Sequence, residues 1–177
     1  MRQVSRWTWL SIIGGSASGK SEYAEGHILT LGGPRIYIAT LEPWDDECRK
    51  RILKHQNARA QRGFQTIECY RGLDRLTVPE GSNILLDGLG NLVAGELYNP
   101  DGRGTEAILA GVEQLLGRCG HLTIVADEVF SGGKDYEGDT LRYLREMGRL
   151  HCDLAARADR VVEILCGVPN VLKEAAI

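Results

Sequence analysis

The residues with the clearest chemical meaning lie near the start of the chain, where Gly14–Ser21 reads Gly-Gly-Ser-Ala-Ser-Gly-Lys-Ser. The segment matches the phosphate-binding pattern Gly-x-x-x-x-Gly-Lys-Ser/Thr at every fixed position. Glycines at these places let successive backbone N–H groups point at phosphate oxygens, and the following helix adds the partial positive charge of its N-terminus. Lys20 would reach the β- and γ-phosphates, and Ser21 would offer a hydroxyl to Mg²⁺. The pattern predicts binding of a nucleoside triphosphate or a close relative; the alternative is a Gly-rich turn that ends in Lys-Ser.

Carboxylates follow two later apolar runs. Asp87 ends the run Ile84–Leu86, and Asp127 and Glu128 close the run Leu122–Ala126. Open α/β sheets bind ligands outside the carboxyl ends of their strands. Asp87 is therefore predicted to hold Mg²⁺ directly or through water, and Glu128 could act as a base for a substrate hydroxyl or support the metal. Turn chemistry is the alternative interpretation of both acids.

Of the four histidines, only His55 suggests chemistry. It lies between Lys54 and Arg59 in a segment with the charge order of a helix, acidic residues first and basic residues later. A neutral imidazole nitrogen can attack phosphorus and form a phosphoramidate, which divides one difficult transfer into two easier ones. Nearby cations would steer a triphosphate towards it. The alternative is an ordinary residue of a helix surface.

Elements that could position these groups alternate along the chain. Helical segments separate short β-rich runs, which predicts an α/β fold, a P-loop NTPase-like, mainly parallel sheet flanked by helices, in a single domain over residues 1–177. The predicted strands are Thr8–Ile13, Arg35–Ala39, Gln65–Cys69, Asn83–Asp87, Leu122–Ala126 and Arg160–Leu165. The predicted helices are Lys20–Leu31, Asp45–Ala60, Asn91–Leu97, Thr105–Gly117 and Thr140–Ala158.

Composition argues against several other classes of protein. A net charge of −3 gives no general basic field, so nucleic acid is not the expected partner. No apolar run is long enough for a membrane span, and Met1–Ile13 indicates a short leader and a first strand rather than a signal peptide. Five scattered cysteines without a Cys-x-x-Cys pair favour reduced thiols over disulfides or zinc. A cytoplasmic protein is expected.

Several segments together resemble one known family. They are Ile13–Glu25, Tyr37–Thr40 followed by Asp45–Glu47, Arg51–His55, Thr66–Glu68, Leu85–Leu89 and Ala155–Val161. In order and spacing they are similar to the bifunctional adenosylcobinamide kinase / adenosylcobinamide-phosphate guanylyltransferases of cobalamin biosynthesis, from about Leu10 to about Gly167. The P-loop is shared by many families. The series Tyr-Ile-Ala-Thr, Asp-Asp-Glu and Arg-Ile-x-x-His is far more specific.

The resemblance implies two reactions on adenosylcobinamide. ATP or GTP, with Mg²⁺, would phosphorylate its aminopropanol hydroxyl, and GMP from GTP would then pass through a guanylyl-histidine to that phosphate. His55 would be the nucleophile and Lys20 would act on the phosphates, with Ser21 and Asp87 at the metal. Glu68 would accept from the two N–H groups that distinguish guanine. The implied nucleotide-binding residues are Gly14, Gly15, Ser16, Ala17, Ser18, Gly19, Lys20, Ser21, Ala39, Thr40, Leu41, Gln56, Asn57, Ala58, Arg59, Glu68 and Asp87. The resemblance also implies a homo-oligomer, a trimer.

Some positions depart from the family pattern. Ala17 stands where an Arg is common, and Asp127–Lys134 replaces a segment that usually begins Asn-Glu-Val-Gly. An Arg-Pro that usually follows the histidine helix is absent, and His151 stands near a usual Asn. A large Phe130 could still cover the face of a corrin ring. Two alternatives therefore stay open: a P-loop small-molecule kinase with a single function, and a nucleotide-binding regulator without turnover.

Overall fold

The computed structural model describes residues 8–175, apart from the side chain of residue 51. Its strands are β1 Trp9–Gly14, β2 Arg35–Ala39, β3 Phe64–Glu68, β4 Asn83–Asp87, β5 His121–Asp127, β6 Arg160–Leu165 and β7 Val168–Glu174. Over the described range they form one sheet in the order β3-β2-β4-β5-β1-β6-β7. Strands β1 to β6 are parallel, and β7 pairs antiparallel with β6. The mainly parallel sheet in one domain is confirmed.

Helices cover both faces of this sheet. They are α1 Lys20–Thr30, α2 Asp46–Gln61, α3 Leu89–Tyr98, α4 Thr105–Leu116 and α5 Gly138–Arg157, with a short 3₁₀ turn at Leu73–Arg75. Each predicted strand and helix begins and ends within two residues of an observed one. The prediction missed β7, whose residues are nearly all exposed and so lack the apolar alternation of a half-buried strand. The predicted leader before β1 lies mostly outside the described residues.

The core divides into two clusters because side chains alternate along each strand. Ile36 and Ile38 of β2 face the side covered by α3, α4 and α5, whereas Tyr37 faces α1. Strands β4 and β5 are buried on both faces and read as continuous apolar runs, as expected of parallel strands between helices. Within residues 8–175, no helix combines the length and the apolar character needed to cross a bilayer.

Parallel pairing places the chemistry at one edge of the sheet. In register, the last residue of β1 lies beside the last residue of β5, and the last residue of β2 lies beside those of β3 and β4. Gly14, Ala39, Glu68, Asp87 and Asp127, which are far apart in sequence, therefore meet at the carboxyl edge. Helix α2 begins above this edge, where the Asp45 carboxylate accepts a hydrogen bond from the backbone N–H of Cys48 at 2.6 Å.

Gly111 of α4 lets this helix lie directly on the 3₁₀ turn. A Cβ built on Gly111 would lie 2.7 Å from both the backbone nitrogen of Asp74 and the carbonyl carbon of Leu73. We expect Gly111→Ala to lower the free energy of unfolding by about 1–3 kcal/mol, because the helix must move away from backbone atoms.

Gly26→Ala is the matched control for this substitution. Gly26 lies inside α1 with open space where its Cβ would stand, so the change should stabilise by up to about 1 kcal/mol through helix propensity. Urea unfolding of both variants measures the difference. Equal stabilities would contradict the close contact of α4 with the turn.

Candidate active site

The backbone from the end of β1 to the start of α1 is packed so tightly that larger side chains would not fit at some of its positions. A Cβ on Gly14 would lie 2.6 Å from Ser18 Oγ and 2.8 Å from the carbonyl oxygen of Ile164. Gly19, at φ 92°, and Ala17, at φ 55°, both adopt the left-handed conformation. The Ser18 hydroxyl is buried and has no hydrogen-bond partner among the described residues. A tight backbone cradle with an unpaired buried hydroxyl fits a site that the oxygens of an anion complete.

Lys20 begins α1 and points back over this loop. Its ammonium group donates to the carbonyl oxygen of Gly15 at 3.1 Å and pairs with Asp127 Oδ1 at 2.8 Å. The Lys20 side chain is 12% exposed, whereas that of Asp127 is about half exposed. An ammonium group has three donors. The contacts in the described part of the chain therefore leave one donor of Lys20 for a phosphate.

The two acids at the end of β5 have different surroundings. Asp127 lines the cleft beside Lys20. Glu128 instead accepts a hydrogen bond from the backbone N–H of Phe130 at 2.7 Å, which is the turn role that the sequence left open. The structure thus brings Asp127, and not Glu128, to the phosphate-binding loop.

A cleft of about 560 Å³ lies over the carboxyl ends of the strands. Most residues selected from the sequence line it: Ala17, Ser18, Gly19, Lys20, Ser21, Ala39, Thr40, Leu41, His55, Gln56, Ala58, Arg59 and Asp87. Gly14, Gly15 and Ser16 lie in the loop behind its wall, Asn57 is exposed on α2, and Glu68 is exposed at the end of β3. The cleft therefore joins the phosphate-binding loop to the helix that carries His55.

Asp87 lies deep in the cleft, with its side chain 15% exposed. Tyr37 donates to its Oδ2 at 3.4 Å, and Arg59 Nη2 lies 3.7 Å from the same oxygen. Burial raises the pKa of Asp87, and the Arg59 guanidinium, the Ser21 hydroxyl and the Lys20 ammonium oppose this rise. Side by side, Asp87 and Ser21 present the oxygen ligands that Mg²⁺ prefers.

Arg59 fastens α2 to the rest of the site. Its guanidinium stacks 3.7 Å from the centre of the Tyr37 ring, and its Nε donates to Glu25 Oε1 at 2.9 Å. Arg62 donates to the other carboxylate oxygen of Glu25 at 2.5 Å. The side chains of Arg59 and Glu25 are only 12% and 11% exposed, so each charge needs the other to compensate for its loss of solvation. Burial, with the Asp87 carboxylate second, raises the pKa of Tyr37 well above its usual range.

His55 lies one helical turn before Arg59, and its exposed side chain lines the cleft. The next residue, Gln56, donates to Glu68 Oε1 at 3.2 Å, which joins α2 to the end of β3. The imidazole of His55 and the ammonium group of Lys20 therefore line one cavity, and Glu68 lies outside this lining at the end of β3.

Besides Asp127, seven residues that line the cleft were not selected from the sequence as functional: Glu22, Glu25, Tyr37, Ile52, Arg62, Gly88 and Asn91. Asn91, at the start of α3, lies 3.5 Å from Thr40 Oγ1. The sequence shows only that Glu25 lies one helical turn after Ser21 and therefore on the same face of the predicted helix. Nothing in the local pattern indicates that its partner is Arg59, 34 residues away.

A phosphate cradle at the carboxyl edge of an open parallel sheet defines a P-loop NTPase-like protein. Solved structures agree on the fold: a Pyrococcus horikoshii protein has a TM-score of 0.52 at 11% identity, covering 98% of this chain and 90% of its own. A DnaB-like replicative helicase has a TM-score of 0.50 at 11% identity, covering 95% of this chain and 56% of its own.

The family is more specific. The model described as cobinamide kinase / cobinamide phosphate guanyltransferase matches residues 10–172, and the chain belongs to this family. The bifunctional adenosylcobalamin biosynthesis protein CobP of Pseudomonas aeruginosa is 32% identical over 170 residues, covering 92% of this chain and 95% of the relative. CobU of Salmonella typhimurium, with the same description, is 31% identical over 181 residues, covering 92% and 98%. The resemblance found in the sequence is confirmed.

Replacing Glu25 tests how α2 is held. Glu25→Gln removes the carboxylate that Arg59 and Arg62 share and leaves Arg59 only the more distant Asp87, so we expect a loss of about 1–3 kcal/mol in the free energy of unfolding. Backbone hydrogen exchange in Asp46–Gln61 should become faster than in wild type. Glu22→Gln, an exposed change on the same helix, should stay within about 0.5 kcal/mol. Unchanged exchange in α2 would contradict the anchoring role.

Proposed function

We propose that the protein catalyses both reactions of its family. It phosphorylates adenosylcobinamide with a nucleoside triphosphate and then transfers GMP from GTP to give adenosylcobinamide-GDP in cobalamin biosynthesis. The observation that carries the proposal is that Lys20 of the phosphate-binding loop and His55 of α2 line the same cleft. A kinase with a single function has no use for an imidazole there, and a regulator has no use for a nucleophile.

In the kinase step the loop backbone and Lys20 hold the phosphates. The acceptor hydroxyl oxygen forms a bond to the γ-phosphorus while the bond from this phosphorus to the bridging oxygen breaks. The nucleoside diphosphate leaves, and the hydroxyl proton passes to water. Catalysis of this kind rests mainly on positioning and on neutralising charge. Lys20 supplies both, because its ammonium is fixed by Gly15 and Asp127 and keeps one donor for the phosphates.

In the guanylyl step His55 is the nucleophile. A neutral imidazole nitrogen bonds to the α-phosphorus of GTP, and pyrophosphate leaves. The phosphate of the acceptor then attacks the same phosphorus, the phosphorus–nitrogen bond breaks, and His55 is restored. Glu68 is suited to accept from two N–H groups of guanine, and its contact with Gln56 sets it beside the histidine helix.

Mg²⁺ is the expected metal, with Ser21 and Asp87 as its protein ligands, directly or through water. The support is that Ser21 and Asp87 both line the cleft, where the Ser21 hydroxyl also opposes the rise that burial causes in the pKa of Asp87. Bound there, the ion would neutralise charge on the phosphates. The nearby Arg59 is compatible with a metal at Asp87, because its guanidinium also pairs with Glu25.

Three further expectations stay predictions: a homo-oligomer that is a trimer by resemblance, a cytoplasmic location and no nucleic-acid partner. One surface supports an assembly of identical chains. Strand β7 is one of the two edge strands of the sheet within the described residues, and its Val168, Val171 and Leu172 are exposed. Apolar edge strands are commonly covered by another chain.

Substitution of His55 and Lys20 tests the two-step chemistry. With GTP labelled at the α-phosphate, wild type should gain one guanylyl group, seen by intact mass, with a label that acid removes and alkali leaves. His55→Asn should abolish the label and keep the kinase step, and Lys20→Ala should lower both by at least ~100-fold. His151→Asn is the control and should label normally. An unlabelled wild type with full kinase activity would support the kinase with a single function.

Metal dependence tests Asp87. Chelation of Mg²⁺ should abolish both steps, and Asp87→Asn should raise the Mg²⁺ concentration for half-maximal rate by about 10–100-fold. Glu22→Gln, which removes a carboxylate from the same cleft, should leave it unchanged. An unaltered Mg²⁺ requirement in Asp87→Asn would remove Asp87 from the metal site.

A further inference from the structure

A second hollow, of about 390 Å³, adjoins the nucleotide cleft. The two cavities share Thr40, Leu41 and Asn91. The rest of the second hollow, which we call the side hollow, is formed by Glu42, Tyr70, Ala94, Gly95, Tyr98, Asn99 and Pro100. None of the assignments above uses it. Because Asn91 lines both cavities, part of a molecule bound in the side hollow could extend past Asn91 to phosphates bound in the cleft.

Helix α3 forms one wall of the side hollow, because the residues that line it are spaced by about one helical turn. Asn91, Ala94 and Tyr98 recur three or four residues apart, so they lie on one face of the helix. The opposite face, with Leu92 and Val93, is fully buried in the core. The exposed face is therefore free to contact a ligand, and α3 itself is held rigidly behind it.

The backbone at the floor of the side hollow is closely packed. A Cβ on Gly95 would lie 2.3 Å from the carbonyl oxygen of Tyr70, so α3 touches the segment that follows β3. Tyr98 donates to the carbonyl oxygen of Asp139 at 2.5 Å, which fixes the far end of α3. The side hollow is thus enclosed by well-packed parts of the fold: its walls come from α3 and from the loops after β2 and β3.

The two cavities differ sharply in charge. The nucleotide cleft is rich in charged groups: Lys20, Arg59 and Arg62, which suit phosphates, alternate there with four carboxylates, Glu22, Glu25, Asp87 and Asp127. The residues that form the side hollow include no lysine or arginine, and Glu42 is their one charged member. Their side chains are aromatic hydroxyls, amides and apolar groups. Such a lining disfavours a polyphosphate and suits a large uncharged molecule whose amides donate and accept hydrogen bonds.

The position of Asn91 relates the side hollow to the chemistry. Its backbone N–H donates to the carbonyl oxygen of Gly88, directly after Asp87, and its amide lies 3.5 Å from Thr40 Oγ1. Thr40 in turn donates to the carbonyl oxygens of Asp87 and Gly88, at 2.9 Å and 2.8 Å. A hydroxyl-bearing arm that passes Asn91 would therefore arrive beside the Asp87 end of the cleft.

We propose that the side hollow binds the acceptor, an amide-bearing corrin ring whose hydroxyl arm passes Asn91 into the nucleotide cleft. The inference rests on the proposed function and adds the place of the acceptor. The arm and one edge of the ring occupy the side hollow, and the rest of the ring lies over Leu41 and Tyr98, whose side chains are 40% and 45% exposed. Asn91 is the positioning residue at the entrance.

A size series at Ala94 tests the proposal. Ala94 faces the side hollow but not the nucleotide cleft, so a larger side chain there should fill the former and leave the latter intact. We expect Ala94→Phe to raise the KM for adenosylcobinamide at least ~10-fold and to weaken its binding in equilibrium dialysis without nucleotide by a similar factor. Affinity for a fluorescent GTP analogue and guanylylation of His55 should stay within about 3-fold of wild type.

Two controls accompany the series. Ala94→Ser keeps a small side chain at the same position and should bind the acceptor as wild type does. Ala110→Phe makes the same change in size on the exposed surface of α4 and should alter neither ligand. Acceptor affinity of Ala94→Phe within about 2-fold of that of Ala94→Ser would overturn the proposal.

The outcomes separate this proposal from the proposed function. A wild type that neither binds nor phosphorylates adenosylcobinamide would contradict the proposed function itself. If wild type is active and Ala94→Phe has the same KM for the acceptor, only the proposal that the acceptor binds in the side hollow is contradicted. Loss of GTP affinity in Ala94→Phe as large as the loss of acceptor affinity would also overturn the proposal, because the two cavities would then be one site.

Discussion

The ion pair between Glu25 and Arg59 is the contact on which the site depends most. It crosses from α1, which carries Lys20 and Ser21, to α2, which carries His55. Both side chains are nearly buried, so separating them would leave an uncompensated charge in a poorly solvated place. Arg59 also stacks on Tyr37 and approaches Asp87, which extends the same network to β2 and β4. The Glu25 carboxylate therefore ties the helix that carries His55 to the helix that begins at the phosphate-binding loop.

Charge balance explains how so many ionisable groups share one cavity. Lys20 is paired with Asp127, and Arg59 lies between Glu25 and Asp87. A nucleotide triphosphate brings several negative charges that must be neutralised on arrival. Lys20 keeps a free donor, and a divalent ion at Asp87 and Ser21 would add two positive charges. Acids therefore hold Lys20 and Arg59 in place without ligand, and the free donor of Lys20 and the ion would offset part of the charge of a bound triphosphate.

The sequence predicted the parts of the structure that local patterns encode. The phosphate-binding loop, the strand that ends at Asp87 and the helix with His55 follow from fixed spacing, apolar runs and charge order. Strand β7 was missed because both of its faces are exposed. The role in chemistry was given to Glu128, whereas the structure places Asp127 in the cleft, because neighbouring residues at a strand end point in different directions and only the folded loop decides between them. Tyr37 and Asp87 meet across 50 residues, a contact that no local pattern reveals.

The separation of charge between the two cavities follows from the reaction that the family performs. One substrate is a polyanion and the other a large molecule with many amides, and a single uniformly basic pocket would favour a second nucleotide in the place of the acceptor. Arginine and lysine are confined to the walls of the cleft, while α3 presents Asn91, Ala94 and Tyr98 to the side hollow. Because α3 starts directly after Asp87, the acceptor wall and the expected metal ligand belong to one continuous segment. The fold therefore sorts two unlike ligands by lining their cavities differently and brings them together at Asn91.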